Sequence, residues 1–261
     1  MTRIAVGIEY DGSAYAGWQA QASLRTLQQV TEQALSSVAA QPVSLVSAGR
    51  TDAGVHACGQ VAHFDTRAAR GARSWVLGAN SELPHDVSLS WARPVPAHFH
   101  ARYSAEARTY RYLIVNRLAR PALFAARAAW VHRRLDHERM GEAALALVGE
   151  HDFSAFRAAE CQAKSPVRRI ERIGVERRGD WVVIEATANA FLHHMMRNIA
   201  GLLIAIGKAE APASWAQEVL AGRDRTRNAA TAPAAGLYLL SVRYPVAFAL
   251  PATPAGEVFP A

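Results

Sequence analysis

The stretch Ser47-Ala48-Gly49-Arg50-Thr51-Asp52-Ala53-Gly54-Val55-His56 is the part of the chain around which the remainder is interpreted. Apolar and polar residues alternate over residues 43–47 before it, and a second strand-like run follows at residues 61–64. Glycines punctuate the segment between these runs and favour a loop. The sequence therefore predicts an Arg- and Asp-bearing loop where two strands end.

Arg50 and Asp52 in this loop are two residues apart, so a locally extended backbone places their side chains on one face. A guanidinium beside a carboxylate favours the ionised carboxylate, which can act as a nucleophile or a general base. The alternative is structural: Asp52 forms an Asx-turn and Arg50 is solvated, because Asp and Gly are ordinary turn residues.

The length of 261 residues suits one large domain or two smaller ones. A hydrophobic content of 51% with 20% charged residues is typical of a globular protein with a substantial core. We find neither a long apolar run nor a signal-peptide pattern and expect no membrane span. Two cysteines, Cys58 and Cys161, cannot build a disulfide framework and suit a reducing cytoplasm.

The formal net charge is +7, and the only lysines are Lys164 and Lys208. Arginine's planar guanidinium suits contacts with phosphates and bases, so the charge favours a polyanionic partner. A bias of the genome towards arginine is the alternative explanation.

Hydrophobic periodicity predicts the first half as strand, helix, strand, strand, helix, strand. This is the ferredoxin-like βαββαβ unit, in which helices cover one face of an antiparallel sheet. The predicted elements are strand 4–10, helix 24–38, the two strands that flank the loop, helix 74–83, and a strand from Val87 that Pro94 and Pro96 close.

The second half repeats this order, so the fold class is predicted as α+β with two pseudo-symmetric ferredoxin-like halves and an active-site cleft between them. Its predicted elements are strand 109–115, helix 140–148, a hairpin of 168–177 and 181–188, helix 191–206, helix 214–220, and strand 236–242. The predicted division is an N-terminal half over residues 1–105, a C-terminal half over 106–245, and an irregular tail over 246–261.

The string from Gly49 to His56 resembles the catalytic motif of the tRNA pseudouridine synthase A family. Eight consecutive matching residues are far more specific than a glycine-rich loop alone. The resemblance extends over residues 3 to about 245, because other family-like stretches lie at residues 8–12, 17–19, 99–102, 110–112, 191–198, 224–226, 229–233 and 236–239.

The resemblance implies an isomerase that converts uridine to pseudouridine at positions 38, 39 and 40 of the tRNA anticodon stem-loop. The catalytic aspartate of the family falls on Asp52, which adds to C1′ or C6 or removes a sugar proton; the sequence leaves these routes open. The reaction exchanges an N1–C1′ bond for a C5–C1′ bond, so it needs no cofactor and no metal. The target nucleotide must leave the stem.

Four further residues receive roles from the resemblance. Arg50 and Arg197 hold Asp52 ionised and oriented, while Tyr110 and Leu237 contact the uracil, Tyr110 by stacking or as a base. Alternatives exist for each: Tyr110 and Leu237 as core residues, and Arg197 as an arginine at a helix edge. On the predicted helix, Arg197 shares a polar stripe with His193 and His194.

The expected partner is tRNA, and the resemblance implies a homodimer that works in the cytoplasm. Two groups of arginines are candidate phosphate contacts or, alternatively, solvated surface. They are Arg168, Arg169, Arg172, Arg177 and Arg178, and Arg223, Arg225 and Arg227.

Two other classes of protein compete with the isomerase. A non-catalytic RNA-binding module explains charge and fold but leaves the Arg50–Asp52 loop without a purpose, and the aromatic signature of such modules is missing. A metal hydrolase built on the histidines is weaker, because no Cys or His spacing resembles a zinc motif.

Overall fold

The computed structural model describes residues 1–252. Contacts within this part of the chain gather into two compact units. Unit 1 comprises Met1–Glu106 and residues 238–252, and unit 2 comprises Ala107–Leu237.

Unit 1 contains a sheet whose strand order begins β4-β1-β3, with β2 and β10 both paired to β3. The pairs β1–β3, β1–β4 and β2–β3 are antiparallel, and β10–β3 is parallel. Two helices complete the unit and pack against each other. The elements are β1 Thr2–Tyr10, α1 Leu27–Ala39, β2 Val46–Ser47, β3 His56–Thr66, α2 Ala72–Glu82, β4 Val87–Val95 and β10 Leu237–Arg243.

The helix side of this sheet is apolar. Phe64 on β3 meets Trp75 on α2 edge to face at a ring-centroid distance of 5.2 Å, and both side chains are buried. Such aromatic pairs bury a large apolar area. The packing fixes β3, the strand that follows the Arg50–Asp52 loop.

Unit 2 orders its strands β5-β9-β8-β7, all antiparallel, and β6 pairs with β5 in parallel. Helix α3 packs on β8 and on α4. The elements are β5 Ala107–Asn116, β6 Ala129–Val131, α3 His137–Leu145, β7 Gly149–Asp152, β8 Val167–Arg178, β9 Trp181–Ala188, α4 Met195–Gly207 and α5 Trp215–Gly222.

The α+β class is confirmed by five α-helices and mostly antiparallel strand pairing within the described residues. The pseudo-symmetric arrangement of ferredoxin-like halves stays a prediction. No helix within residues 1–252 has the length and apolar character needed to cross a membrane. Of the predicted irregular tail, residues 246–248 form a short 3₁₀ turn, and residues 253–261 lie outside the described part.

The predicted boundaries of α1, β4 and α4 are wrong for physical reasons. Helix α1 begins at Leu27, not residue 24, because its first N–H groups donate to the carbonyl oxygens of Gly17 and Trp18. Strand β4 continues through Pro94 to Val95, because it ends the strand order of its sheet and an edge strand tolerates proline. Helix α4 begins at residue 195, because His194 has a positive φ of 62°.

Candidate active site

The Arg50–Asp52 loop joins β2 to β3, as the sequence predicts. β3 begins at His56 rather than near residue 61, so the loop is shorter than expected. Asp52 is half-buried and Arg50 is exposed. The Val55 N–H donates to the Asp52 carbonyl oxygen at 3.2 Å, closing a turn that contains Gly54 with φ 75°. The structure therefore holds the Asp52 backbone at the entrance to a strand.

A second segment, residues 11–18, supports this loop through backbone contacts. The Trp18 N–H donates to the Thr51 carbonyl oxygen at 2.9 Å, and the Gly54 N–H donates to the Tyr15 carbonyl oxygen at 3.4 Å. Trp18 itself is 1% exposed and anchors the segment in the core. The backbone on both sides of Asp52 is thus tied to the segment between β1 and α1.

Two glycines make this close approach possible. A Cβ on Gly12 would clash with the Val55 carbonyl group. A Cβ on Gly17 would lie 2.8 Å from the Thr51 carbonyl oxygen, and Gly17 also has a φ of 93° that side chains rarely adopt. The family-like stretches at residues 8–12 and 17–19 therefore act as the support of the loop, a role that their sequences alone did not indicate.

Beneath the loop lies a buried polar network. The hydroxyls of Tyr10 and Thr51 are 2.8 Å apart. The Gln60 amide donates to the Gly49 carbonyl oxygen at 2.7 Å and lies 3.4 Å from the Tyr10 hydroxyl. Gln60 is fully buried, so these bonds offset the cost of removing its amide from water. The sequence signal for it is a glutamine inside an otherwise apolar strand.

The register of β3 changes just beyond this network. Ile8 pairs with Gln60 and Tyr10 pairs with Ala57, so β3 contributes three steps where β1 contributes two. Such a bulge bends a strand and re-aims its end, and bulges are common beside functional sites. Here the bulge sets the direction from which the chain enters β3 after Asp52.

His56, the last residue of the Gly49–His56 motif, packs beside the Asp52 loop in unit 1. It is 1% exposed, and its Nδ1 accepts the Gly12 N–H at 3.1 Å. Its ring stacks on Tyr238 at a centroid distance of 4.6 Å. Asp11 Oδ1 lies 3.1 Å from the same nitrogen. His56 thereby locks the Gly12 turn, and with it the support of the loop.

In unit 2, Tyr110 and Tyr112 occupy alternate positions on β5. Tyr110 is 9% exposed, and its ring meets Phe191 edge to face at 4.8 Å. Tyr112 is fully buried and donates its hydroxyl to the Pro233 carbonyl oxygen at 2.8 Å. Burial raises the pKa of Tyr112, so its hydroxyl stays protonated. The two tyrosines share a strand face but differ in their surroundings.

Arg197 stands in the first turn of α4. Its Nε donates to the Ala232 carbonyl oxygen at 2.9 Å, and its own carbonyl oxygen accepts the Ala232 N–H at 3.2 Å. The segment that precedes Leu237 is thus attached directly to α4. Leu237 is 5% exposed and begins β10.

Asn198, which follows Arg197 on α4, is fully buried, and its side chain has three hydrogen-bond partners. Its amide donates to the Phe156 carbonyl oxygen at 2.7 Å, and its Oδ1 accepts from the Thr231 hydroxyl at 2.7 Å and from Arg225 at 3.1 Å. The family-like stretches near residues 198 and 225–231 therefore form one hydrogen-bonded cluster. Spacing along the chain gives no sign of it.

The predicted polar stripe of Arg197 with His193 and His194 is wrong. Because α4 begins at Met195, both histidines precede the helix, and their rings lie 4.1 Å apart in a tilted arrangement.

Most of the candidate phosphate-binding arginines contact the protein itself. Arg177 donates to Asn116 Oδ1 and to the Leu135 carbonyl oxygen, and Arg225 donates to Asn198, Thr231 and Ala229. Arg169 and Arg227 are exposed. The others also have partners in the protein, namely Arg168 with Ser165 and Val167, Arg172 with Thr187 and Glu185, Arg178 with Glu176, and Arg223 with Asp152.

Comparison with known proteins identifies relatives along the whole chain. The family described as tRNA pseudouridine synthase matches residues 7–104 and 143–245. A tRNA pseudouridine synthase A of Coxiella burnetii (strain Dugway 5J108-111) is 56% identical over 259 residues, which cover 99% of each chain. Proteins of the same name from Nitrosococcus oceani and Pseudomonas aeruginosa are 57% and 55% identical; the matches cover 95% and 96% of this chain, and 96% and 88% of those proteins.

Proposed function

The chain belongs to the tRNA pseudouridine synthase family, and we propose that it isomerises uridines 38, 39 and 40 of the tRNA anticodon stem-loop. Membership of this family makes it an isomerase that forms pseudouridine in tRNA. The non-catalytic RNA-binding module and the metal hydrolase are therefore wrong. The three target positions rest on the resemblance of the Gly49–His56 motif.

The observation that carries the proposed mechanism is the support of Asp52. Asp52 is half-buried on a loop that Trp18, Tyr15 and Gln60 hold by hydrogen bonds to the backbone. A group that must meet a reacting atom gains rate from being held in place before the substrate arrives. We assign Asp52 as the catalytic residue.

The reaction breaks the N1–C1′ bond, turns the base, forms the C5–C1′ bond and releases the C5 hydrogen to solvent. Asp52 starts this sequence by adding to C1′ or C6, or by taking a proton from the sugar. A carboxylate serves any of these routes in its ionised form. Arg50 and Arg197 are proposed to keep it ionised and oriented, since a nearby guanidinium favours the charged carboxylate.

Tyr110 and Leu237 are proposed to contact the uracil while it is detached. Tyr110 suits this contact, because its ring is mostly buried and packs edge to face against Phe191. Aromatic stacking tolerates different sequence contexts, which suits an enzyme that acts at three neighbouring uridines. The protein is further proposed to work as a homodimer in the cytoplasm, and light scattering coupled to size exclusion tests the dimer.

Tritium release tests the proposal. A tRNA transcript labelled at uridine C5 is incubated with the protein, and transcripts in which uridines 38, 39 and 40 are replaced by cytidine serve as controls. We expect release from the first transcript and none from the fully substituted one. Release that persists after all three replacements would contradict the assigned positions.

A further inference from the structure

A rigid turn at residues 100–104 presents an aromatic ring to solvent in unit 1. The His100 N–H donates to the Ser104 hydroxyl at 3.0 Å, and the Ser104 N–H donates to the His100 carbonyl oxygen at 2.9 Å. The His100 Nδ1 accepts the N–H groups of Arg102 and Tyr103, both at 3.2 Å. Four hydrogen bonds therefore fix the backbone on which Tyr103 stands.

The ring of Tyr103 is placed by this turn. It is 77% exposed, and it lies against the His100 ring at a centroid distance of 4.3 Å and an angle of 32°. His100 rests in turn on the buried ring of His63 at 5.0 Å. The Arg102 guanidinium lies 5.7 Å from the Tyr103 ring centroid. An aromatic side chain is thus held outward on a rigid base with a cation beside it.

This arrangement has the features of a stacking site for nucleic acid. An exposed aromatic ring offers a flat surface to the π-face of a base, and neighbouring arginine adds attraction to the phosphate backbone. The net charge of +7 favours a polyanionic partner. Because the turn is already ordered, little conformational entropy is lost when a base stacks on it.

The turn is remote from the Asp52 loop along β3. The Ala101 N–H donates to His63 Nδ1 at 3.1 Å, which places the turn beside residue 63. His56, where the loop enters β3, is seven residues away, which at the usual rise per residue is roughly 23 Å. A nucleotide bound at Tyr103 is therefore a different one from the nucleotide that reacts at Asp52.

We propose that Tyr103, supported by His100 and flanked by Arg102, stacks on an unpaired base of the tRNA substrate away from the reacting uridine. This inference rests on the proposed function, since it takes tRNA as the ligand. The contact adds affinity through the ring and not through the hydroxyl.

Equilibrium binding of unmodified tRNA to the full chain tests it. We expect Tyr103→Ala to raise Kd by roughly 5- to 150-fold, the usual loss for one stacked base, with the slope of log Kd against log salt unchanged. Tyr103→Phe and Tyr103→Trp keep a ring and should bind within about threefold of the parent. Leu118→Ala, which alters an apolar side chain that is 84% exposed in unit 2, is the matched control and should leave Kd unchanged.

An unchanged Kd in Tyr103→Ala overturns the inference, as does an equal loss in Leu118→Ala or a loss in Tyr103→Phe as large as in Tyr103→Ala. A change of oligomeric state at unchanged Kd also overturns it and assigns the ring to a protein contact. Tritium release by the parent protein is measured in parallel. If the parent isomerises tRNA while Tyr103→Ala binds normally, the stacking site fails and the proposed function stands.

Discussion

The backbone N–H of Trp18 donates to the carbonyl oxygen of Thr51 over 2.9 Å, immediately before Asp52. The carbonyl oxygens of Gly17 and Trp18 accept the first N–H groups of α1. One short segment therefore connects the start of a helix to the loop that carries the proposed catalytic carboxylate. Because Trp18 is buried, movement of the loop requires movement of core side chains.

Gly17→Ala should damage the loop more than it damages the fold. The new Cβ would lie 2.8 Å from the Thr51 carbonyl oxygen, at a φ of 93°. We expect a loss of about 1–2 kcal/mol in the free energy of unfolding, with a single-turnover rate at least tenfold lower. Gly141→Ala on α3 is the matched control, because a Cβ there meets nothing within 4 Å; stability equal to or above that of the parent is expected. A normal rate in Gly17→Ala would show that the loop needs no such support.

His63 should make stability depend on pH. Burial, and then the charge of Arg3, lower the pKa of its imidazole from 6.5 to about 4. The unfolded chain therefore binds a proton that the folded chain does not between these values. Stability should be full above pH 6.5, fall as the pH drops towards 4, and lose up to about 1.4 kcal/mol per pH unit from this group.

Denaturant unfolding between pH 4 and 7.5 measures this effect. His63→Gln removes the titrating group, so its unfolding free energy should vary less across the window than that of the parent protein. The difference between the two proteins cancels the carboxylates that titrate in both. Parallel curves for parent and variant would exclude His63 as the source.

Arg169 and Arg177 should behave differently although both lie on β8. Arg177 donates to Asn116 and Leu135, so Arg177→Ala should cost about 1–3 kcal/mol of stability. Arg169 is exposed. If it contacts phosphate, Arg169→Ala should leave stability unchanged and flatten the salt dependence of tRNA binding by roughly 0.7–0.9 in slope. An unchanged slope assigns Arg169 to solvated surface.

Replacements at Tyr110 and Tyr112 separate chemistry from packing. Tyr112→Phe removes the hydroxyl that donates to the Pro233 carbonyl oxygen, so we expect a stability loss of about 0.5–1.5 kcal/mol. If the hydroxyl of Tyr110 transfers a proton, Tyr110→Phe should slow the single-turnover step on the order of a hundredfold. If the ring only stacks, Tyr110→Phe should be nearly silent and Tyr110→Ala should cost about 1–3 kcal/mol in binding. Equal, mild effects on turnover at both positions would remove Tyr110 from the site.

The sequence predicted those features that depend on neighbours along the chain. Alternation and helical spacing located the main strands and helices, and the Gly49–His56 motif pointed to the family. The sequence did not reveal the start of α4, because a histidine at positive φ has no signature comparable to glycine. Short strands β6 and β7 also escaped detection, since three or four residues carry too little periodicity.

The other features that the sequence did not reveal depend on contacts between residues that are distant along the chain. In the sequence, Gly12 and Gly17 resemble ordinary turn glycines. Only the structure shows that the backbone of residues 51–55 packs against them and leaves no room for a side chain at either position. Likewise, Arg177 and Arg225 look like surface cations in the sequence, while each donates to residues far along the chain, Arg177 to Leu135 and Asn116 and Arg225 to Asn198. Charge counts alone do not reveal such partners.

The measurement that tests the account most directly is tritium release by Asp52→Asn in a single turnover at saturating tRNA. The amide keeps the shape of the carboxylate, so folding and tRNA binding should persist while release becomes undetectable. Asp180→Asn is the control. Asp180 lies on the turn between β8 and β9 and its carboxylate pairs with Arg117, so this variant should release tritium at the parent rate. Substantial release by a folded, tRNA-bound Asp52→Asn protein would contradict the assignment of Asp52 as the catalytic residue.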